Sequence, residues 1–248
     1  MEKVLVITGG SRGIGAATAL LAGQQGYAVC VNYLRNPAAA QNIVEQLETM
    51  GVRAIAVAAD VASEDQVKHL FETVDNRLGR VTALVNNAGV LAQQLRVEKM
   101  DATRLNRIFA VNITGSFLCA REAIKRMSIQ QGGRGGAIVN VSSVASRLGA
   151  PGEYVDYAAS KGAIDSMTLG LSKEVAGEGI RVNAVRPGFI YTDIHADGGE
   201  PNRVERIKDL LPMKRGGQAS EVANAILWLL SDEASYTTGT FIEVAGGK

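Results

Sequence analysis

Short apolar runs recur along this chain, and each is followed by a stretch with helical periodicity. The first, VLVI at 4–7, has no polar face, which is how a strand reads when its sheet is covered on both sides. Runs at 29–32, 53–57, 83–86, 137–141, 181–185 and 241–244 repeat the pattern. Helices are expected between them, at 16–25, 37–50, from Ser63 onward, over 102–128, over 155–176 and through Trp228. Pro37 suits a first helical turn and Gly51 a stop. Ser63, with Asp65 and Gln66 behind it, reads as a capping box. Strand–helix alternation predicts an α/β fold: one doubly wound parallel sheet of about seven strands, with helices on both faces and right-handed crossovers. The 248 residues hold no linker or low-complexity tract, so a single domain is expected over 1–248.

Composition narrows the partners. Apolar residues make up 46% and charged ones 21%, as in ordinary globular proteins. The net charge of +1 leaves no broad basic surface for nucleic acid or an anionic membrane. Cys30 and Cys119 are far apart and lack a C-x2-C partner, so neither a metal site nor a disulfide framework is expected. The apolar run at the start is too short for a signal peptide or a membrane span, and a cytoplasmic protein is expected.

Two short stretches carry chemistry. TGGSRGIG at 8–15 lies where the first strand meets a helix, with Gly9, Gly13 and Gly15 spaced G-x3-G-x-G. Small residues there let the backbone approach a pyrophosphate, and a helix N-terminus supplies unpaired N–H groups. YVDYAASK at 154–161 offers two tyrosines and a lysine. Tyr157 and Lys161 are four apart and adjacent on a helix face, whereas Tyr154 is about two turns, roughly 10 Å, from the lysine. Only Tyr157 is close enough for the ammonium to act on its oxygen; Tyr154 reads as a pocket wall or a helix-entry residue.

TGGSRGIG, then NNAG at 86–89, Asn112, VSSVAS, Tyr157-x3-Lys161 and Pro187–Gly188 occur in that order. Together they resemble the short-chain dehydrogenase/reductase family over essentially the whole chain. The branches they resemble are the glucose/sugar-dehydrogenase-like and the 3-oxoacyl-carrier-protein-reductase-like ones. The resemblance implies a Rossmann fold and an oxidoreductase moving hydride between a nicotinamide and a carbonyl or secondary alcohol. It also implies a homotetramer. A catalytic set of Asn112, Ser143, Tyr157 and Lys161 is carried over, with no metal. Strand alternation lets only one of Ser142 and Ser143 face the site, and both stay open. A tyrosine starts from a pKa of about 10 and would need lowering by roughly three units to work as acid and base near neutrality; Lys161 is the expected source.

The same resemblance implies cofactor contacts from Gly9, Ser11, Arg12, Gly13, Ile14 and Gly15, and from Asn32, Tyr33 and Arg35. Asp60, Val61, Asn87, Ala88 and Gly89 would line the adenosine side, with Tyr157, Lys161, Pro187, Gly188, Ile190 and Thr192 toward the nicotinamide. NAD sites place an acidic residue about 20 residues past the glycines. Here no acidic residue occurs between Glu2 and Glu45, and Arg12 and Arg35 suit a 2′-phosphate, so NADP is expected over NAD. The segment around 190–215 is expected to form a substrate lid hinged at Gly198–Gly199 and Gly216–Gly217. His195 lies in it, as a pocket residue or an ordinary loop histidine. His69 reads as solvated and Trp228 as packed. An epimerase of the extended relatives would need a second substrate domain. An NADP-sensing module would need no catalytic set.

Overall fold

The structure is a computed structural model that describes residues 3–248. Among them, seven strands form one sheet: β1 (Lys3–Ile7), β2 (Tyr27–Tyr33), β3 (Ala54–Ala58), β4 (Ala83–Asn86), β5 (Gly136–Val141), β6 (Ile180–Pro187) and β7 (Phe241–Val244). All pair in parallel, in the order β3-β2-β1-β4-β5-β6-β7. The helices are α1 (Gly13–Gln24), α2 (Pro37–Thr49), α3 (Glu64–Arg77), α4 (Ala102–Phe109), α5 (Gly115–Met127), α6 (Ala145–Leu148), α7 (Val155–Glu174), α8 (Ile194–Asp197), α9 (Arg203–Ile207) and α10 (Ala219–Leu230).

Side chains alternate across each strand, and those of β1, β2, β4 and β5 bury on both faces, which is why these runs lack a polar stripe. Val4, Val6, Leu84 and Ile138 pack with Leu70 and Phe71 of α3, Cys119 of α5 and Ile164 of α7. Leu5, Ile7, Val85 and Val139 face the other way, onto Ala19 and Ala22 of α1, Leu47 of α2 and Ile226 of α10.

Several local expectations change. The 102–128 segment is not one uniform helix: a π-helical turn, Ala110–Thr114, separates α4 from α5, with Asn112 at its middle. Ser63 makes no side-chain cap bond. Its capping-box partner Gln66 instead turns back to accept the Asp60 N–H at 2.8 Å, closing the end of β3. Trp228 is 40% exposed, because Val222, Ile226 and Leu229 carry the packing of α10 and position 228 points outward. His69 is exposed, as the sequence implies.

Candidate active site

Strand order reverses between β1 and β4, and open α/β sheets bind ligands in the crevice at such a point. The loops leaving β1 and β4 are stitched together there. The Thr8 hydroxyl accepts the Asn87 and Ala88 N–H groups at 3.0 Å, and Asn87 Nδ2 donates to the Thr8 and Gly9 carbonyls at 2.9 Å. Gly9 has φ +61°, a left-handed conformation that favours glycine. Gly15 lies in the first turn of α1, where a Cβ would sit 2.5 Å from the Gly9 carbonyl and 2.6 Å from Asn87 Nδ2. Thr192 reaches this turn from the far side; its Cγ2 is 3.2 Å from where a Gly13 Cβ would be.

The other predicted cofactor residues also lie along the C-terminal edge of the sheet. Ser11 and Ile14 are half-buried in the turn, and Tyr33 is half-buried at the end of β2. Asn32 is buried and its side chain braces the frame: Oδ1 accepts from Gly9 N at 3.3 Å, and Nδ2 donates to Ala59 O at 3.0 Å. Asp60 caps its own loop by accepting the Ala62 N–H at 2.9 Å, while Val61 packs into the core against Gly115. Arg12 and Arg35 are exposed, and Arg12 pairs with Asp197 of α8. The Pro187 carbonyl accepts the Val144 N–H at 3.1 Å. A Cβ on Gly188 would lie 2.8 Å from Ala245 Cα, so glycine lets the chain after β7 pass close by. The Ile190 side chain is buried, and its strand bridges to Gly217.

The reactive groups converge at the ends of β5 and α7. Ser143 Oγ accepts the Ala145 N–H at 3.1 Å and is close enough to the Tyr157 phenol to draw its pKa down. Ser142 points the other way, with Oγ donating to Asp165 at 2.6 Å and lying 3.3 Å from the Lys161 carbonyl. Strand alternation thus puts Ser143 on the tyrosine side. Lys161 is 4% exposed; its Nζ donates to the Val141 carbonyl at 2.7 Å and lies 5.5 Å from the centre of the Tyr157 ring. Asn112 clamps Val90 from both sides, accepting its N–H at 2.8 Å and donating to its carbonyl at 3.1 Å, and reaches Ser160 Oγ at 3.0 Å. Its Oδ1 and Lys161 Nζ both lie 3.6 Å from where a Gly89 Cβ would be. Gly89, Asn112 and Lys161 therefore share one corner of the crevice.

The electrostatics depart from the expected lowering of Tyr157. Burial pushes its phenol up to about 12, with the Ser143 hydroxyl opposing. Burial pushes Lys161 down to about 8, with the charge of Asp165 opposing. The ammonium lies over the ring and takes the Val141 carbonyl as its partner, so desolvation outweighs attraction at the phenol.

The 190–215 segment packs against the loops after β4 and ahead of α7. The Tyr154 hydroxyl donates to the Gly198 carbonyl at 3.2 Å. The buried Arg203 guanidinium stacks on Tyr154 and Phe189 and pairs with Glu153 and Glu200. Of the expected hinge glycines, Gly198, Gly216 and Gly217 have a packing reason: a Cβ would fall 2.7 Å from Leu91, 2.3 Å from Val204 and 2.6 Å from Ile190. His195 lines a cavity of about 330 Å³ with Tyr191, Thr192, Asp193 and Asn202. Its Nε2 is 3.0 Å from the Ile190 carbonyl, its Nδ1 is buried without a partner, and burial lowers its pKa. Asp165 and Arg203 are site residues that the motifs do not announce; the four-residue step from Lys161 to Asp165 is the one signal available for the former.

A family model described as Enoyl-(Acyl carrier protein) reductase matches residues 9–248. The protein of Escherichia coli (strain K12) called uncharacterized oxidoreductase YgfF is 61% identical over 245 residues, covering 99% of both chains. A 3-oxoacyl-[acyl-carrier-protein] reductase of Synechocystis sp. is 40% identical over 99% of this chain and 96% of its own. The reductase FabG of Staphylococcus aureus (strain Mu50) is 38% identical over 100% of this chain and 98% of its own. Among solved structures, a mutant Serratia marcescens short-chain dehydrogenase/reductase superposes with a TM-score of 0.90 at 29% identity, over 99% of this chain and 97% of that one. By sheet order, site and relatives together, this chain belongs to the short-chain dehydrogenase/reductase family and is an oxidoreductase enzyme of that family.

Proposed function

We propose that this enzyme transfers hydride reversibly between NADP and a small-molecule carbonyl or secondary alcohol. The observation that carries the reading is the grouping of Ser143, Tyr157, Lys161 and Asn112 beside the glycine turn. The turn fits a dinucleotide: a Cβ at Gly15 would fill it, and α1 starts without a side-chain cap, leaving N–H groups for a pyrophosphate. Arg12, Arg35 and the lack of an acidic residue at the end of β2 favour the 2′-phosphate form.

When bound, the nicotinamide would supply the hydride and take it back. The chain handles the proton. Tyr157 gives its phenolic proton to the carbonyl oxygen, and Ser143 offers the same oxygen a second hydrogen bond. A phenol that burial keeps protonated suits the reductive direction at neutral pH. Lys161 would hold the ribose hydroxyls, and Asn112 would anchor a water-linked path to its ammonium.

Two relatives called 3-oxoacyl-[acyl-carrier-protein] reductases make 3-oxoacyl thioesters the first substrates to try. A second reading, oxidation of glucose or a related polyol, is supported by the sugar-dehydrogenase-like run GEYVDYAASKGAID around Tyr157. Phe117 and Leu169 are 48% and 44% exposed on α5 and α7, which supports packing of these helices against another copy in a homotetramer. No helix of the described residues is long and apolar enough to cross a membrane, and both cysteines are buried and free, in keeping with a reducing, cytoplasmic setting.

The test is NADPH absorbance over a panel of 3-oxoacyl thioesters, ketones and sugars. Turnover with kcat/KM for NADPH at least about tenfold above NADH supports the reading; comparable values sink the NADP preference. Tyr157→Phe should lower turnover by about 100- to 10,000-fold with NADPH affinity unchanged. A dead panel with tight NADPH binding would point instead to a cofactor sensor.

A further inference from the structure

A second polar cluster lies behind Lys161, away from Ser143. Asp165 follows Lys161 by four residues on α7, so the two are neighbours on one helix face. Its Oδ1 accepts the Ser142 hydroxyl at 2.6 Å, and that hydroxyl also lies 3.3 Å from the Lys161 carbonyl. Its Oδ2 accepts from Arg186 Nε at 3.2 Å and Nη2 at 3.0 Å. Arg186 in turn stacks 4.0 Å from the Phe241 ring centre and reaches Glu243 of β7, which also pairs with Arg147 of α6. The side chains of Asp165 and Arg186 are only 14% and 17% exposed.

Lys161 has a neutral hydrogen-bond partner, the Val141 carbonyl. Burial therefore works against its ammonium form, and Asp165 is the opposing charge. The groups that touch the carboxylate are Ser142 at the end of β5 and Arg186 on β6; Glu243 of β7 and Arg147 of α6 lie beyond Arg186, and Tyr157 of α7 faces Lys161. Arg186 is the cation closest to the carboxylate, and it weakens the field that reaches Lys161.

We propose that Asp165 is a positioning residue that keeps Lys161 charged, with Ser142 fixing the carboxylate and Arg186 setting how much of its field the lysine feels. The consequence for turnover rests on the proposed redox role of Lys161; the effect on its charge does not. An ammonium anchors ribose hydroxyls and passes protons, whereas a buried amine does neither well.

The test reads Lys161 directly. In protein labelled with 13C at lysine Cε, the Lys161 resonance is the one lost in Lys161→Met, and its midpoint is followed with pH. Wild type should titrate near 8. Asp165→Asn should lower the midpoint by about one unit, Asp165→Glu should restore it, and Arg186→Gln should raise it. Shifts of opposite sign are not produced by general loosening of the fold. If Asp165→Asn fails to fold, Ser142→Ala, which frees the carboxylate, should give a smaller downward shift beside the upward shift of Arg186→Gln. An unchanged midpoint in Asp165→Asn, or shifts of one sign in both charge variants, overturns the proposal. With an active substrate, the pH limb of kcat set by Lys161 should move with its midpoint. Midpoints that move as stated in an enzyme that reduces nothing would leave the charge assignment standing and remove the redox reading.

Discussion

Lys161 burdens the fold as well as serving the site. Its folded pKa is pushed down from 10.5 to about 8 by burial, so folding favours the neutral amine. The sign follows from linkage: stability from this group is present above pH 10.5 and is lost as pH falls to 8, below which the penalty is constant. A difference of about 2.5 units (10.5 − 8) corresponds to about 3 kcal/mol. Lys161→Met in the cofactor-free protein should therefore be more stable than wild type at pH 7, by up to about 3 kcal/mol. The advantage should shrink between pH 8 and 10.5. Urea denaturation across that range checks it; an advantage independent of pH would remove the buried charge as its cause. The same residue shows where the sequence stops informing. The four-residue step to Tyr157 is visible in YVDYAASK, but the direction of both pKa shifts depends on how deeply α7 is buried.

At the scale of elements, the glycine turn makes a sharper prediction. A Cβ at Gly15 would meet the Gly9 carbonyl at 2.5 Å and the Gly10 Cα at 2.9 Å, backbone atoms that cannot step aside. Gly15→Ala should cost about 1–3 kcal/mol of stability and weaken NADPH binding by about tenfold or more. Gly162, inside α7, has nothing within 4 Å of an added Cβ. Gly162→Ala should instead raise stability by up to about 1 kcal/mol. Thermal melts with and without NADPH separate the two, and equal effects would contradict the packing assigned to Gly15. The elements themselves were largely legible because the inner strands are buried on both faces, so VLVI and its inner counterparts carry a plain signal. The serine choice was only half legible: alternation says one of Ser142 and Ser143 faces the site, but which one depends on the twist at the end of β5. The π-helical turn at Asn112 was not legible in detail, since it is set by a side-chain clamp on Val90 in a distant loop. Helices α8 and α9 are too short for a periodic pattern; ion pairs tie both down, and α9 also buries Val204 and Ile207.

Across the whole molecule, the sheet puts the glycine turn and the start of α7 on one edge, and a single segment ties to both. Arg12 in the glycine turn pairs with Asp197 of α8, and Arg203 of α9 pairs with Glu153 just ahead of α7. Glu200 joins these ties: the Arg206 hydrogen bond, with help from Arg203, holds its carboxyl at about 2, so its charge persists through mildly acidic pH. Arg203 is the central piece, because its guanidinium is buried between the Tyr154 and Phe189 rings as well as paired. Removing it leaves Glu153 without its cation, Glu200 with Arg206 alone, and the two rings without their filler. Arg203→Met should destabilise the protein by about 3 kcal/mol, the range for breaking a buried pair. On the proposed role of the segment as a substrate lid, KM for the substrate should rise more than kcat falls, while NADPH affinity stays near wild type. Glu153→Gln alone should reproduce part of the KM change, and the double variant should add little to Arg203→Met, because both act through one contact. A fall in kcat with KM unchanged would mean that Arg203 supports the fold of α7 rather than the closure of the segment above it.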